Sequence, residues 1–522
     1  MSLLEVTAPF SNGLISSMQH PLKAHNVSTL SMKLLSVNAL GVNALSVITL
    51  VLLILLAAAC ASPETADQTS ADSTSTEATA EKSALRVSDN GHFLQQADGE
   101  PFFWLGDTGW LLFSKLDRDQ VETYLENRRQ KGFNVVQVMM LHSLGAVNVY
   151  GDTALIDKDV SRPNVTEGSS FEDSAQYDYW DHIDYTVDRA AEKGIYMAMV
   201  PVWGSNVKAG GVSPKQAATY AEWLADRYGD RPNVIWLNGG DIRGDDSIQV
   251  WQTLGKNLRE HDPHHLITFH PRGRTQSSLW FHDALWLDFN MFQSGHRRYD
   301  QDTIASEPFR YGEDNWRYVE TEWNLKPTKP TIDGEPSYEG IPQGLHDPKE
   351  PLWNDADVRR YGYWAVFAGA AGYTYGNNSV MQMLGPHDKG SAYGATVLWD
   401  KALDDPGAGQ MVYLKNLMLS RPYFDRVPDQ SLIAGGTGEQ YDRQIATRGE
   451  TYAFIYTYNG KNIPVQLGKL KGDQVKATWY SPRDGKETEI GTFANEGTHA
   501  FDPPGEPKDG NDWVLILDSV EE

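Results

Sequence analysis

The chain has 522 residues, 40% hydrophobic and 11% aromatic with 16 tryptophans, too long for one ordinary domain and suited to a barrel of roughly 250–350 residues plus a smaller module. Its formal net charge of −25 argues against nucleic acid or an anionic membrane surface as electrostatic partners. The single cysteine, Cys60, rules out an intramolecular disulfide and a thiol nucleophile elsewhere in the chain.

Residues 1–60 read as an address. The apolar run at 45–59 is short for a membrane span and closes on Leu56-Ala57-Ala58-Ala59-Cys60. This resembles a bacterial lipoprotein signal, with Cys60 lipidated as the mature N-terminus and Met32, followed by Lys33, as the natural start. An ordinary signal peptide or an uncleaved anchor are the alternatives. Residues 61–84 are small, acidic and rich in Ser and Thr, a disordered tether with almost nothing to bury. The expectation is an exported lipoprotein of a bacterial cell envelope (outer membrane, cell surface or periplasm), touching membrane only through its lipid.

From residue 85 apolar runs alternate with helical patterns. A hairpin at 86–94 leads into a strand at 102–105 that ends on Asp107. Asp117 caps a helix to Lys131, with Val121, Tyr124, Leu125 and Arg128 on one stripe. Strand 134–141 ends on His142, and the long loop after it is a candidate rim of a site. Helix 179–193 and strand 196–202 follow, the strand ending on Trp203. Ser213-Pro214 opens the next helix. The chain then enters Asn233-Val-Ile-Trp-Leu-Asn238-Gly239-Gly240-Asp241, a buried strand whose two glycines free the backbone to aim Asp241. Helix 248–259, strand 265–269 ending on His270, strand 285–291 ending on Gln293 and His296, strand 329–333 before Glu335, helix 357–371 and strand 372–375 ending on Tyr375 complete the series. Eight strands alternating with helices predict an α/β fold, a (β/α)8 TIM barrel over 85–420. A doubly wound sheet is the runner-up, without a Gly-rich phosphate loop to support it. After a last helix at 410–419, residues 421–522 read as a small all-β sandwich, with strands at 443–446, 452–458, 464–467, 475–480, 488–493 and 513–518.

A barrel that cleaves glycosidic bonds needs two carboxylates flanking the bond. Asp241 after the fourth strand and Glu335 after the seventh are the candidates. Glu335 precedes a proline and lies near Tyr338; Glu322, Glu339 and Glu320 are its rivals, Glu322 foremost because Thr321-Glu322-Trp323 also alternates like a strand. Asp107 is either a contact for sugar hydroxyls or a buried acid paired with Arg272 or His296. His142, His270 and His296 follow strands and read as a binding rim. No HExxH or local zinc spacing accompanies them, so no metal is expected, nor any cofactor. Trp110, Trp203 and Tyr375 are sugar platforms or core residues, and Asn238 and Gln293 complete the candidate substrate contacts.

The stretches PFFWLGDTGW, NVVQVMML, NVIWLNGGD, FNMFQSGH and KPTIDGEPSYEG together resemble the apiosidase-like glycoside hydrolases (glycoside hydrolase family 140, the DUF4038 group), whose C-terminal module carries a collagen-binding label. The resemblance covers residue 85 to the end. It implies a barrel with a β-sandwich and a retaining mechanism, with Asp241 as acid/base and Glu335 as nucleophile about 5–5.5 Å apart. It also implies a plant or algal cell-wall polysaccharide substrate, with apiose in pectic rhamnogalacturonan II as the family's characterised case. The competing reading is a non-catalytic carbohydrate- or collagen-binding surface lipoprotein; no protease motif is present, and the β-module reads as a prop for the barrel.

Overall fold

A computed structural model describes residues 85–302 and 310–520. The signal, Cys60 and the tether lie outside these residues. The barrel strands are β1 Trp104–Thr108, β2 Val135–Met139, β3 Tyr196–Val200, β4 Val234–Ile242, β5 Ile267–Pro271, β6 Asn290–Gln293, β7 Thr331–Asp333 and β8 Gly372–Tyr375. They form one sheet in the order 5-4-3-2-1-8-7-6, parallel throughout, with the two-residue strand Thr275–Gln276 antiparallel on the outer edge of β6. The remaining gap is bridged where Asp288 N–H donates to Ile267 O at 2.9 Å and Thr268 Oγ1 to Phe289 O at 2.6 Å.

A helix follows each strand: α1 Arg118–Gln130, α2 Tyr179–Glu192, α3 Pro214–Tyr228, α4 Ile248–His261, α5 Ser278–Phe281, α6 Trp316–Trp323, α7 Asp355–Phe367 and α8 Pro406–Leu419. Local chemistry sets several starts. Asp117, Asp178, Ser213 and Asn354 each cap a helix through a reciprocal capping box. The stripe predicted on α1, Val121, Tyr124, Leu125 and Arg128, is its buried face. The (β/α)8 barrel followed by an all-β module is therefore the fold.

Strand residues alternate between two cores, as a period of two requires. Val135, Ala198, Val200, Ile235 and Leu237 belong to one. Val136, Val138, Met197, Met199 and Trp236 pack with the helices in the other.

Four expectations are corrected. Residues 101–102 close a small three-stranded sheet with Arg86–Val87 and Leu94–Gln95, so the first barrel strand starts at Trp104. The sixth begins at Asn290, not 285, because Leu285 is 97% exposed in a turn. Residues 321–323, which alternate like a strand, lie in α6. The module also contains Thr498–Phe501, paired antiparallel with Ile463–Gln466.

In the module, β9 Val427–Pro428, β10 Gln444–Arg448, β11 Tyr452–Thr457, β13 Gln474–Tyr480, β14 Glu487–Ala494 and β16 Trp513–Ser519 form one sheet in the order 9-10-11-16-13-14, while β12 Ile463–Gln466 and β15 Thr498–Phe501 form the second. β11 is buried on both faces. Ala453 and Ile455 face the module's own core, and Phe454 and Tyr456 join the barrel's core. Tyr456 stacks on Tyr363 of α7 with centroids 4.8 Å apart and planes 14° from parallel. This explains why α7 has no solvent face and is buried from Asp357 to Phe367.

Candidate active site

The end of β4 is bent on purpose. Gly239 (φ 94°), Gly240 (φ 101°) and Asp241 (φ 46°) all have positive φ, and the register against β5 shifts between Gly239 and Ile242. A bulge of this kind re-aims a side chain. A Cβ on Gly240 would stand 2.6 Å from the Trp203 ring, so the glycine also lets Trp203 lie against the strand. Asp241 itself carries the left-handed backbone of a non-glycine residue, a strain typical of functional positions.

Glu335 lies two residues beyond β7. Its strand end is held from inside the barrel, where Gln137 of β2 donates to Gly334 O at 2.6 Å. His296 Nε2 lies 3.0 Å from Glu335 Oε1. His270 Nε2 lies 3.4 Å from Oε2, an oxygen with no hydrogen-bond partner among the described residues. The N–H of Asp241 donates to His270 Nδ1 at 3.4 Å, which leaves the proton of a neutral ring on Nε2, toward Glu335. One imidazole thus bonds the backbone of the first carboxylate and stands beside the side chain of the second.

Both carboxylates line a single cavity of about 440 Å³ at the C-terminal ends of the strands, where barrels carry their chemistry. Trp110, Trp203, Gln293, His296, Tyr338 and Tyr393 are among its walls. Trp110 and Trp203 sit with centroids 5.2 Å apart and offer apolar faces to a ring.

The two acids are driven apart electrostatically. Asp241 is exposed to the open cavity, yet loss of water to the surrounding walls, and then the charge of Glu335, push it up to about 7, against the pull of the Gly273 N–H, Arg272 and Gln293. Burial acts to raise Glu335 as well, but the hydrogen bond from His296 and the fields of His270 and His296 outweigh it and hold Glu335 below the usual carboxylate value. The two carboxyls thus differ in proton affinity, Asp241 having the higher.

Of the sequence candidates, the cavity brings together Asp241, Glu335, Trp110, Trp203, Gln293 and His296, with His270 buried behind Glu335. Four others are corrected. Asp107 is fully buried against α1, where it accepts from Tyr124 Oη at 2.6 Å and pairs with Arg128 Nε at 2.8 Å; its partner is neither Arg272 nor His296. Asn238 is fully buried and donates to Trp251 O of α4 at 2.9 Å, outside the barrel. Tyr375 is a buried donor to Glu339 Oε2 at 2.6 Å. His142 is half-buried and away from the cavity walls, so the three histidines do not converge. Among the described residues no group of His, Cys, Asp and Glu has the arrangement of a metal site.

The rival acids lie elsewhere. Glu322 is buried in α6, bonded by Thr331 Oγ1. Glu339 is held by Tyr375 and by the Gly407 N–H at 3.1 Å. Glu320 pairs with Arg443 of the β-module at 3.4 Å. Sequence reasoning missed Gln137, Arg274, Arg297 and Tyr393. Gln137 had a signal, a lone polar residue on the inward register of β2; Tyr393, on a loop after β8, had none.

Residues 88–425 match the family model described as "Apiosidase-like, catalytic domain", and residues 427–518 match "Putative collagen-binding domain of a collagenase". The chain is similar to a solved structure described as a glycoside hydrolase, at 49% identity and TM-score 0.80, covering 84% of this chain and 98% of that one. It is also similar to a glycoside hydrolase family 5 protein from Bacteroides vulgatus ATCC 8482, at 48% identity and TM-score 0.79, covering 84% and 94%. No curated protein matches. The chain belongs to the apiosidase-like family and is a carbohydrate-active hydrolase with a glycoside hydrolase fold.

Proposed function

We propose that the protein is a retaining glycoside hydrolase in which Asp241 is the acid/base and Glu335 the nucleophile. The observation that carries this reading is the pair of acids at the ends of β4 and β7, facing one cavity with proton affinities shifted in opposite directions. In the first step Glu335 Oε2 attacks the anomeric carbon as Asp241 protonates the departing glycosidic oxygen. In the second, Asp241 takes a proton from water, which displaces the sugar from Glu335. His296 fixes Oε1 and leaves the other oxygen to react. Trp110 and Trp203 supply stacking faces, and Gln293 a hydrogen-bonding amide.

The substrate in this reading is a side chain of a plant or algal cell-wall polysaccharide, in the manner of apiose on pectic rhamnogalacturonan II. The cavity wall favours an acidic polymer. Arg272, Arg274 and Arg297 line it, and Arg274 Nε has no hydrogen-bond partner among the described residues, with Asp302 Oδ1 3.7 Å away. Burial, with Arg310 and Arg297 nearby, lowers Arg274 to about 10 against the pull of Asp302, a carboxylate that Arg310 shares at 3.0 Å. Guanidinium groups suit carboxylates, which they bind bidentately. Export with a lipid on Cys60 would place the enzyme at the cell envelope, where such polymers are met.

The test is a screen of plant and algal cell-wall oligosaccharides with product stereochemistry followed by NMR. Release of a sugar with retained anomeric configuration is expected. Inversion would overturn the nucleophile role of Glu335, and no turnover of any glycoside would overturn the reading itself.

A further inference from the structure

The β-module does more than shield α7. A side chain from it reaches the loop that forms one wall of the cavity. Between β6, ending at Gln293, and α6, starting at Trp316, residues 294–302 and 310–315 are described, and His296 and Arg297 stand in the first stretch. Glu313, buried in the second, accepts the N–H of Tyr299 in the first at 2.8 Å. The same carboxylate takes Arg360 of α7 at 2.7 Å and the hydroxyl of Tyr441 at 3.2 and 3.1 Å on its two oxygens. Tyr441 belongs to the module.

The surroundings make this a built junction. The Arg360 guanidinium is fully buried and lies over the rings of Tyr441 and Tyr458, 4.7 and 5.2 Å from their centroids. The Tyr441 ring also packs against Tyr299, 5.6 Å away. A second module residue, Arg443, lies 3.4 Å over the ring of Trp316, the first residue of α6. The module therefore grips both ends of the loop. Three residues upstream of Tyr299, His296 bonds Glu335, and the Gly295 N–H donates to the Glu335 carbonyl at 3.1 Å.

We propose that Tyr441 of the C-terminal module is a positioning residue for hydrolysis: through Glu313 and Tyr299 it holds residues 294–302 so that His296 stays bonded to Glu335 and Arg297 faces the cavity. The module is on this view a part of the catalytic unit and not an independent binding domain. Only the kinetic part of the test below rests on the role given above to Glu335.

The test uses the full chain. Tyr441→Phe removes one hydroxyl and leaves the ring over Arg360. Tyr458→Phe is the control, because Tyr458 packs on the same guanidinium and bonds Asp357 at 3.4 Å without touching Glu313. Amide hydrogen exchange over residues 294–302 should speed up by ~tenfold in Tyr441→Phe, the effect of losing a hydrogen bond to a charged group, and stay as in the wild type in Tyr458→Phe. With a glycoside that the wild type hydrolyses, kcat/KM of Tyr441→Phe should drop severalfold, and its acidic limb should move to higher pH as Glu335 loses its orderly contact with His296. A loss of packing alone would lower the melting temperature of both variants alike and leave that limb in place. Unchanged exchange over 294–302 in Tyr441→Phe, or equal acceleration in both variants, would overturn the proposal. Faster exchange in a protein that hydrolyses no glycoside would support the clamp and sink the catalytic reading, so the two are separable.

Discussion

The position of Asp241 predicts a pH profile that can be taken apart by one substitution. With its carboxyl raised to about 7, the proton that Asp241 must donate is lost as pH rises through that value, so kcat/KM should decline about tenfold per unit on the basic side. Part of the elevation comes from Glu335. At the spacing expected of a retaining pair, about 5.5 Å, two unit charges in an effective dielectric of about 20 repel by ~3 kcal/mol, or about two pKa units. On the proposed mechanism this repulsion vanishes once Glu335 carries the sugar, and Asp241 then acts as an ionised base for the second step. In Asp241→Asn, turnover of a glycoside with a poor leaving group should decline by about 10²–10⁴, whereas a dinitrophenyl glycoside, which departs without a proton, should form its glycosyl-enzyme nearly as fast as in the wild type. The assay is steady-state and burst kinetics on both substrates from pH 4 to 9. An equal loss on both, or a basic limb that persists near 7 in Asp241→Asn, would refute the assignment.

Glu335→Gln should lower turnover of every glycoside by at least ~10⁴ and eliminate the burst, with circular dichroism unchanged; near-normal turnover would remove Glu335 from the mechanism. His296→Ala takes away the hydrogen bond that holds Glu335 low, so the acidic limb of kcat/KM should move up and the rate at pH 5 should suffer more than the rate at pH 6.5. Asp107→Ala should destabilise the barrel by ~3–5 kcal/mol in urea unfolding, because it strands the fully buried Arg128; a loss under ~1 kcal/mol would show the pair to be dispensable. Glu322 is pushed by burial to about 7. A folded-state pKa above the unfolded one contributes stability that is complete below the ordinary carboxylate value and is lost as pH rises through 7. Between about pH 4.5 and 7 the wild type should lose on the order of 3 kcal/mol through this group, and Glu322→Gln should flatten that part of the curve.

The barrel was legible because each of its strands is a short apolar run that stops on a polar or aromatic residue, and helix caps such as Asp117 and Ser213 act locally. Where the reading failed, two periods competed. Residues 316–323 place Tyr318, Val319 and Glu322 on the buried side of a helix, yet Thr321-Glu322-Trp323 alternates as a strand would. Burial on both sides settled the matter, since α6 must cover β7 and Glu322 reaches Thr331 there. Residues 498–501 are too few and too exposed for an apolar signal, and only pairing with Ile463–Gln466 makes them a strand.

The cavity holds the bulge residue Asp241 and the strand-end candidates Trp203, Gln293 and Glu335 but not Asp107, Asn238 or Tyr375, and period two explains Asn238. Trp236 bonds Asp262 at 2.7 Å on the helix side of the sheet, so Asn238, two residues on, has the same side and reaches α4. Its polarity satisfies a helix carbonyl and says nothing of a ligand. Asp241 would be bound by the same alternation, and on an unbroken strand it would lie on the inner register, three residues from Asn238. The glycine pair breaks the count and leaves a carboxylate on a left-handed backbone in the cavity wall. Strain that aims a carboxylate into a cavity is a better sign of chemistry than polarity at a strand end. By that measure Asp107, on an ordinary backbone with Tyr124 and Arg128 on its Oδ2, belongs to the scaffold, and Asp241 is the residue to test for chemistry.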